Sequence, residues 1–195
     1  GAEAGGRFPW IVHVGQVGGV PVTCTGQLIG GRWVLSAAHC VLTSDKSGFR
    51  EAGPPGSTLV TFGCAGADLT SASCRTVNVV RIVVHPCYTA APNHDHDDLV
   101  LLEMEEDAGF AAADLPWVGG LNGTVEVTNA SNVTLAGYGL TSNAATQPSA
   151  KAMAVTVGVA SAAACAAANP YADTNGLMNF SNVLCTGGVA GRDSC

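Results

Sequence analysis

The run "WVLSAAHC" sets His39 at the end of an apolar strand and beside Cys40, where its neighbours orient the imidazole and partly dry it. Alone, such a histidine is more often structural than catalytic. Fifty-nine residues on, in "HDDLVLLEM", Asp98 opens a strand of continuous apolar residues. A carboxylate at the mouth of so apolar a strand must find a donor or bear a heavy desolvation cost. A neutral imidazole N–H is one such donor. A carboxylate that accepts from one ring nitrogen fixes the tautomer, and the other nitrogen is then free to take a proton from a nucleophile. The same loop, "NHDHDD", offers His94, Asp95 and His96 as well, a composition that suggests a metal cluster. Ligands at i and i+2 on an exposed loop rarely converge without support, so a solvated acidic loop is expected and a metal is not.

The elements that must hold these residues are strands. Twenty-five Gly, nine Pro, many Val and Thr and few Lys or Glu make a composition poor in helix formers. Nine strand-like runs recur between turn residues: "WIVHVGQV", "PVTCTGQLI", "RWVLSAA", "STLVTFG", "RTVNVVRIVVHP", "DLVLLEM", "TVEVTNASNVTLAGYG", "MAVTVGV" and "NVLCTGG". With almost no helical periodicity they predict barrels or sandwiches closed by hairpins. The loop "EEDAGFAAADLPWVGGLNG" could link two halves, which places the connection of a two-barrel domain near residues 104 to 124. At 195 residues and 47% apolar content the chain can bury roughly 70% of its unfolded surface, enough for such a domain. Residues 152 to 172 carry no charge over a membrane-spanning length, but the run is mostly Ala with polar residues and Pro. It divides into a strand "AVTVGV" and a short helix "SAAACAAAN" with Ser161 as N-cap.

A net charge of -7 with eight basic residues leaves no patch to neutralise a run of phosphates, so neither nucleic acid nor an anionic membrane is an expected partner. A cationic substrate suits the charge better. Eight cysteines, none in C-x-x-C spacing, point to disulfides and a secretory route. The sequons at Asn122, Asn129, Asn132 and Asn179 agree with that route. No signal peptide is visible in "GAEAGGRFPW".

Taken together, "CTGQLIGGRWVLSAAHC", "DDLVLLEM", "LAGYGLT" and "GRDSC" resemble the trypsin-like (chymotrypsin-fold) serine endopeptidases, in the family's order and at suitable intervals across essentially the whole chain. The resemblance implies an all-β fold of two six-stranded-type antiparallel barrels within one peptidase domain, about 1–108 and 109–195, the second incomplete. It implies that His39 is the general base and that Asp98 orients it; Asp97 competes, but the family's carboxylate directly precedes the apolar run. Asp193 would form the floor of the primary specificity pocket, as in members that cleave after Arg or Lys, with Ser194 lining it. A buried anionic floor selects a long cationic side chain because a neutral one leaves the carboxylate unpaired. In the family the nucleophilic serine and the oxyanion-hole amides follow this point, so they are expected beyond Cys195. The first residues of the mature N-terminus are likewise expected ahead of Gly1. Without them the chain as given is expected not to hydrolyse peptides.

The same resemblance sorts the cysteines. Cys24 with Cys40 would staple the loop behind His39, Cys165 with Cys185 would bracket the segment leading to the pocket, and Cys64 with Cys74 would close a hairpin tip. Cys195 would bond to a cysteine further on, and Cys87 has no assigned partner. Some relatives bind calcium between the third pair; here that stretch holds one acid, Asp68, which argues against it. Trp10, Trp33 and Trp117 read as core or interface residues, His13 and His85 as structural ones, and Tyr138 stands where the family more often has Trp. The expectation is a secreted, disulfide-linked serine endopeptidase that cleaves polypeptides after Arg or Lys, is open to protein inhibitors and needs no cofactor. The alternative is a silent homologue that binds a partner through the same cleft.

Overall fold

Period-two burial runs through the longer strands of this chain and decides which side chains enter its core. The computed structural model describes residues 1–16, 23–44, 50–52, 54–91, 94–109, 128, 131–142, 144–168 and 184–187. Its strands are β1 (Ala2–Glu3), β2 (Ile11–Gln16), β3 (Cys24–Gly30), β4 (Trp33–Ser36), β5 (Leu42–Ser44), β6 (Arg50–Ala52), β7 (Thr58–Phe62), β8 (Arg75–Val84), β9 (Thr89–Ala91), β10 (His94–His96), β11 (Val100–Met104), β12 (Asn132–Gly137), β13 (Met153–Val159) and β14 (Thr186–Gly187), with one helix, α1 (Ala162–Ala168). Nine of these elements correspond to the strand-like runs of the sequence. The short pairs β5–β6 and β9–β10 are hairpins that no run announced, since three-residue strands carry too little pattern to be seen.

Six antiparallel strands close on themselves in the order β11-β4-β3-β2-β7-β8. In β7, Thr58, Val60 and Phe62 turn inward; in β11, Val100, Leu102 and Met104 do. Facing them across the barrel are Val12, Val14, Leu28 and Val34, all at or below 1% exposure. Burying each such side chain stabilises the fold by about 1.5–3 kcal/mol. Gly26 sits among them because there is no room for more: a Cβ there would lie 2.5 Å from Val34 Cγ1 and 3.0 Å from methyls of Val12 and Val14.

The chain separates into two units, one mainly of residues 2–116 and 136–153, the other mainly of 117–135 and 154–194. The barrel belongs to the first. In the same unit the Cys64–Cys74 disulfide closes a loop whose backbone turns left-handed at Gly66 and Ala67. Asp68 in that loop accepts both the amide and the hydroxyl of Thr70, and these bonds hold its carboxyl below the usual carboxylate range. The second unit has a sheet in which β13 pairs with β12 and β14, and among the described residues this sheet is not closed. There Ser161 Oγ accepts the Ala164 N–H at 3.1 Å and caps α1, and Cys165–Cys185 ties the helix to the segment entering β14. The uncharged stretch that could be taken for a membrane span is thus β13 followed by α1, and no helix among the described residues is long and apolar enough to cross a bilayer.

Candidate active site

Strand pairing explains why two residues far apart in sequence meet. β11 runs antiparallel to β4, with Val100 opposite Ser36. The chain leaving β4 after Ser36 and the chain entering β11 before Val100 therefore share one rim of the barrel. His39 lies three residues past that pair and Asp98 two residues before it. Beyond Ser36 the backbone winds through one 3-10 turn, Ala38–Cys40, anchored by the buried Ala38 and Cys40. The Cys24–Cys40 disulfide fixes this turn to the neighbouring β3. Ser36, itself buried, satisfies its hydroxyl on Thr25 O at 3.1 Å, so the strand end carries no unpaired polar group to pull it loose.

At the rim, His39 Nδ1 lies 2.6 Å from Asp98 Oδ2, and the main-chain N–H of His39 donates to Asp98 Oδ1 at 2.9 Å. An ionised carboxylate only accepts, so Nδ1 carries the hydrogen and Nε2 is left with its lone pair. The histidine side chain is 49% exposed and the aspartate 23%. Nε2 lies 3.5 Å from Cys40 Sγ, a disulfide sulfur with no proton to donate, so its lone pair is not spent on a hydrogen bond from that neighbour. Asp97, the competing carboxylate, is exposed and does not make this contact; its role is in the backbone, where φ of 50° turns the chain and its carbonyl accepts the Leu99 N–H at 2.7 Å.

Two contributors to this geometry left no mark in the sequence. The His39 amide is a backbone group, and every residue has one. Gln16, at the end of β2, donates from Nε2 to Cys40 O at 3.1 Å and so braces the turn that carries His39; only the fold shows that these two positions are near. Cys24, His39 and Cys40 bring three potential metal-binding atoms together, but both sulfurs are spent in the disulfide and offer no thiolate. Asp193 and Ser194 lie outside the described residues, as do Cys195 and Trp117. So do the side chains of His94, Asp95 and His96. Cys87 is a free, exposed thiol.

A histidine and an aspartate joined this way on the rim of a six-stranded barrel are what the sequence motifs led one to look for, and comparison with known proteins decides the family. The family model described as Trypsin matches residues 2–195. The chain belongs to the trypsin family. Among curated relatives of this serine protease family it is similar to phenoloxidase-activating factor 3 of Holotrichia diomphalia, 27% identical over 196 residues that cover 97% of this chain and 54% of the relative. It is also similar to kallikrein-14 of Homo sapiens, 29% identical over 178 residues, 88% of this chain and 56% of that protein. The chain thus spans about half the length of these two relatives. Among solved structures, neuropsin, a serine protease expressed in the limbic system of mouse brain, superposes with a TM-score of 0.74 at 22% identity, over 98% of this chain and 74% of that one. The structure of GrC gives 0.73 at 21% identity, over 97% and 75%. These two likenesses speak for the fold.

Proposed function

We propose that this trypsin-family chain belongs to a secreted serine endopeptidase that hydrolyses peptide bonds after Arg or Lys. In this reading residues 1–108 and 109–195 correspond to the two halves of one peptidase domain. The observation that supports it most is the His39–Asp98 pair, joined by two hydrogen bonds across 59 residues of sequence.

The chemistry follows from which nitrogen is free. A serine hydroxyl placed at His39 Nε2 loses its proton to that lone pair as its oxygen attacks the substrate carbonyl. The imidazolium that forms is stabilised by Asp98, whose second oxygen stays fixed on the His39 amide and so cannot swing away. The proton then passes from Nε2 to the departing amine. The family's motif has its nucleophile four residues past the cysteine of "GRDSC", and a serine there completes the site. Backbone amides around it would hold the developing oxyanion, a contribution of about 2.7–4 kcal/mol per donor. No step in this scheme calls for a cofactor.

Specificity is assigned to Asp193, with Ser194 beside it. A carboxylate on a pocket floor is left unpaired by any neutral side chain, and it pairs with the guanidinium of Arg or the ammonium of Lys. Polypeptides with Arg or Lys at the cleaved bond are the expected substrates, and protein inhibitors that present the same side chains are the expected antagonists. The test uses the full-length protein on peptides that differ only at that residue: cleavage after Arg and Lys, but not after Leu, is expected. Asp193→Ser should abolish the preference; its retention would remove Asp193 from the pocket. A full-length protein with Gly or a stop at the serine position and no hydrolysis of any peptide would instead be a silent homologue that binds through the same cleft.

A further inference from the structure

Four Asn-X-Ser/Thr sequons occur in the chain, and Asn132-Val-Thr is the one whose acceptor lies among the described residues. We propose that Asn132 is an N-glycosylation acceptor whose oligosaccharide stands on the solvent face of the β12–β13 sheet. The inference rests on the secretory part of the function proposed above.

Asn132 opens β12 and is exposed, and Thr134, two residues on, is exposed on the same face, as the period of a strand requires. Thr134 Oγ1 meets Thr156 Oγ1 of β13 at 3.1 Å, and Thr156 is exposed too. Next to Asn132 stands Gly158, where even an added Cβ would keep 3.8 Å from Asn132 Oδ1. Among the described residues the acceptor amide is thus flanked by two small hydroxyl side chains and a glycine, which leave room for a first sugar on that side.

The step needs a lipid-diphosphate-linked oligosaccharide and the transferase of the secretory compartment. Asn132 Nδ2 attacks the anomeric carbon, the bond from that carbon to the diphosphate oxygen breaks with its electron pair leaving on the lipid diphosphate, and Nδ2 gives up one proton to a base of the transferase. Nothing is oxidised or reduced. The threonine hydroxyl two residues on is the recognition element, so serine can replace it and alanine cannot.

The test expresses the full-length protein in a eukaryotic cell behind a supplied secretion signal, with its own N-terminal region in a parallel culture. Peptide mapping after enzymatic deglycosylation should find Asn132 converted to Asp in most molecules. Asn132→Gln and Thr134→Ala should each remove one glycan from the intact mass, while Thr134→Ser keeps it and shows that loss is not a folding artefact. An unmodified Asn132 in protein secreted behind the supplied signal would overturn the proposal, whatever the other sequons carry. Occupancy behind the supplied signal, with no secretion from the protein's own N-terminal region, would support the acceptor and count against the secretory reading alone.

Discussion

The closed barrel and the sheet of the smaller unit are built from the same short, Val- and Thr-rich strands, yet they bury them differently. In the barrel Val12, Val14, Val34, Val60 and Leu102 are at 0% exposure, whereas the best-buried described side chains of the smaller unit, Val157, Ala154 and Cys185, retain 4%, 6% and 7%. α1 has no buried residue, and Leu184 beside it is 56% exposed. A closed barrel gives every strand two neighbours and leaves no edge, so its rim positions are fixed by register. In the smaller unit the Cys165–Cys185 disulfide ties α1 to the segment entering β14. A charge pair that must be held within fractions of an ångström belongs on the first kind of framework, and His39 and Asp98 are found there.

The largest effect that can break this comparison is on turnover. If the barrel rim carries the chemistry, His39→Ala in the full-length protein should cost on the order of 10⁶-fold in kcat on an Arg- or Lys-containing peptide, the size known for other triads of this kind. Asp98→Asn should cost less, on the order of 10⁴-fold, while leaving the fold unchanged, because an amide in that place can present its NH2 to the ring and favour the wrong tautomer. Circular dichroism and Tm measured alongside separate loss of chemistry from loss of structure. An unchanged rate in either variant would remove the rim from the mechanism and leave His39 a structural residue.

A second, smaller effect sharpens the contrast in packing. Gly26→Ala drives a methyl into Val34, Val12 and Val14 at 2.5–3.0 Å. The barrel cannot yield without moving three strands, and a loss of about 1–3 kcal/mol is expected. Gly158→Ala in β13 meets Asn132 Oδ1 at an ordinary 3.8 Å, and by restricting the unfolded chain it should be neutral or stabilising by about 0.4–1 kcal/mol. Urea unfolding of both variants measures the difference. Equal costs would mean that the two sheets are packed alike and that low exposure in the barrel has no energetic counterpart.

How much of this was legible beforehand follows the same division. The barrel strands announce themselves through short apolar runs such as "STLVTFG" and "LVLLEM" between turn residues, and the candidate site through "SAAHC" and "DDLVLL", because local pattern and local chemistry coincide there. Asp98 was readable from its place at the mouth of the apolar strand, with Asp97 as competitor; the left-handed backbone at Asp97 is a feature that sequence does not display. Gln16 and the His39 amide were missed for a related reason: their part is set by tertiary proximity, and neither residue type nor spacing encodes it. In the smaller unit the Ser161 cap was readable, as caps are local. Residues 136–153 group with the barrel's unit through contacts such as Tyr138 N–H to Thr25 Oγ1, 113 residues apart, a proximity that no local pattern encodes.

The smallest expected effect concerns that junction within the barrel's unit. His13 of β2 stands edge-on to the buried Tyr138, ring centres 5.8 Å apart and planes at 90°. Its cross-strand partners are Thr25 and Thr61, which bring no charge to hold a proton on the ring. Burial accordingly lowers its pKa below the ordinary 6.5 of an imidazole. The unfolded chain, with the higher pKa, then binds a proton that the folded chain refuses, so stability is full above about pH 6.5 and falls as pH drops toward the folded pKa. Asp68 and Glu105, whose carboxyls sit below the ordinary carboxylate range because of hydrogen bonds from Thr70 and Asn78, release their share of stability only at lower pH and leave this window clear. The half-exposed ring makes the effect modest: wild type should lose a few degrees more of Tm than His13→Gln between about pH 8 and about pH 5. Superimposable pH profiles for the two proteins would mean that the imidazole is as well solvated folded as unfolded, and that water reaches the ring where β2 meets Tyr138.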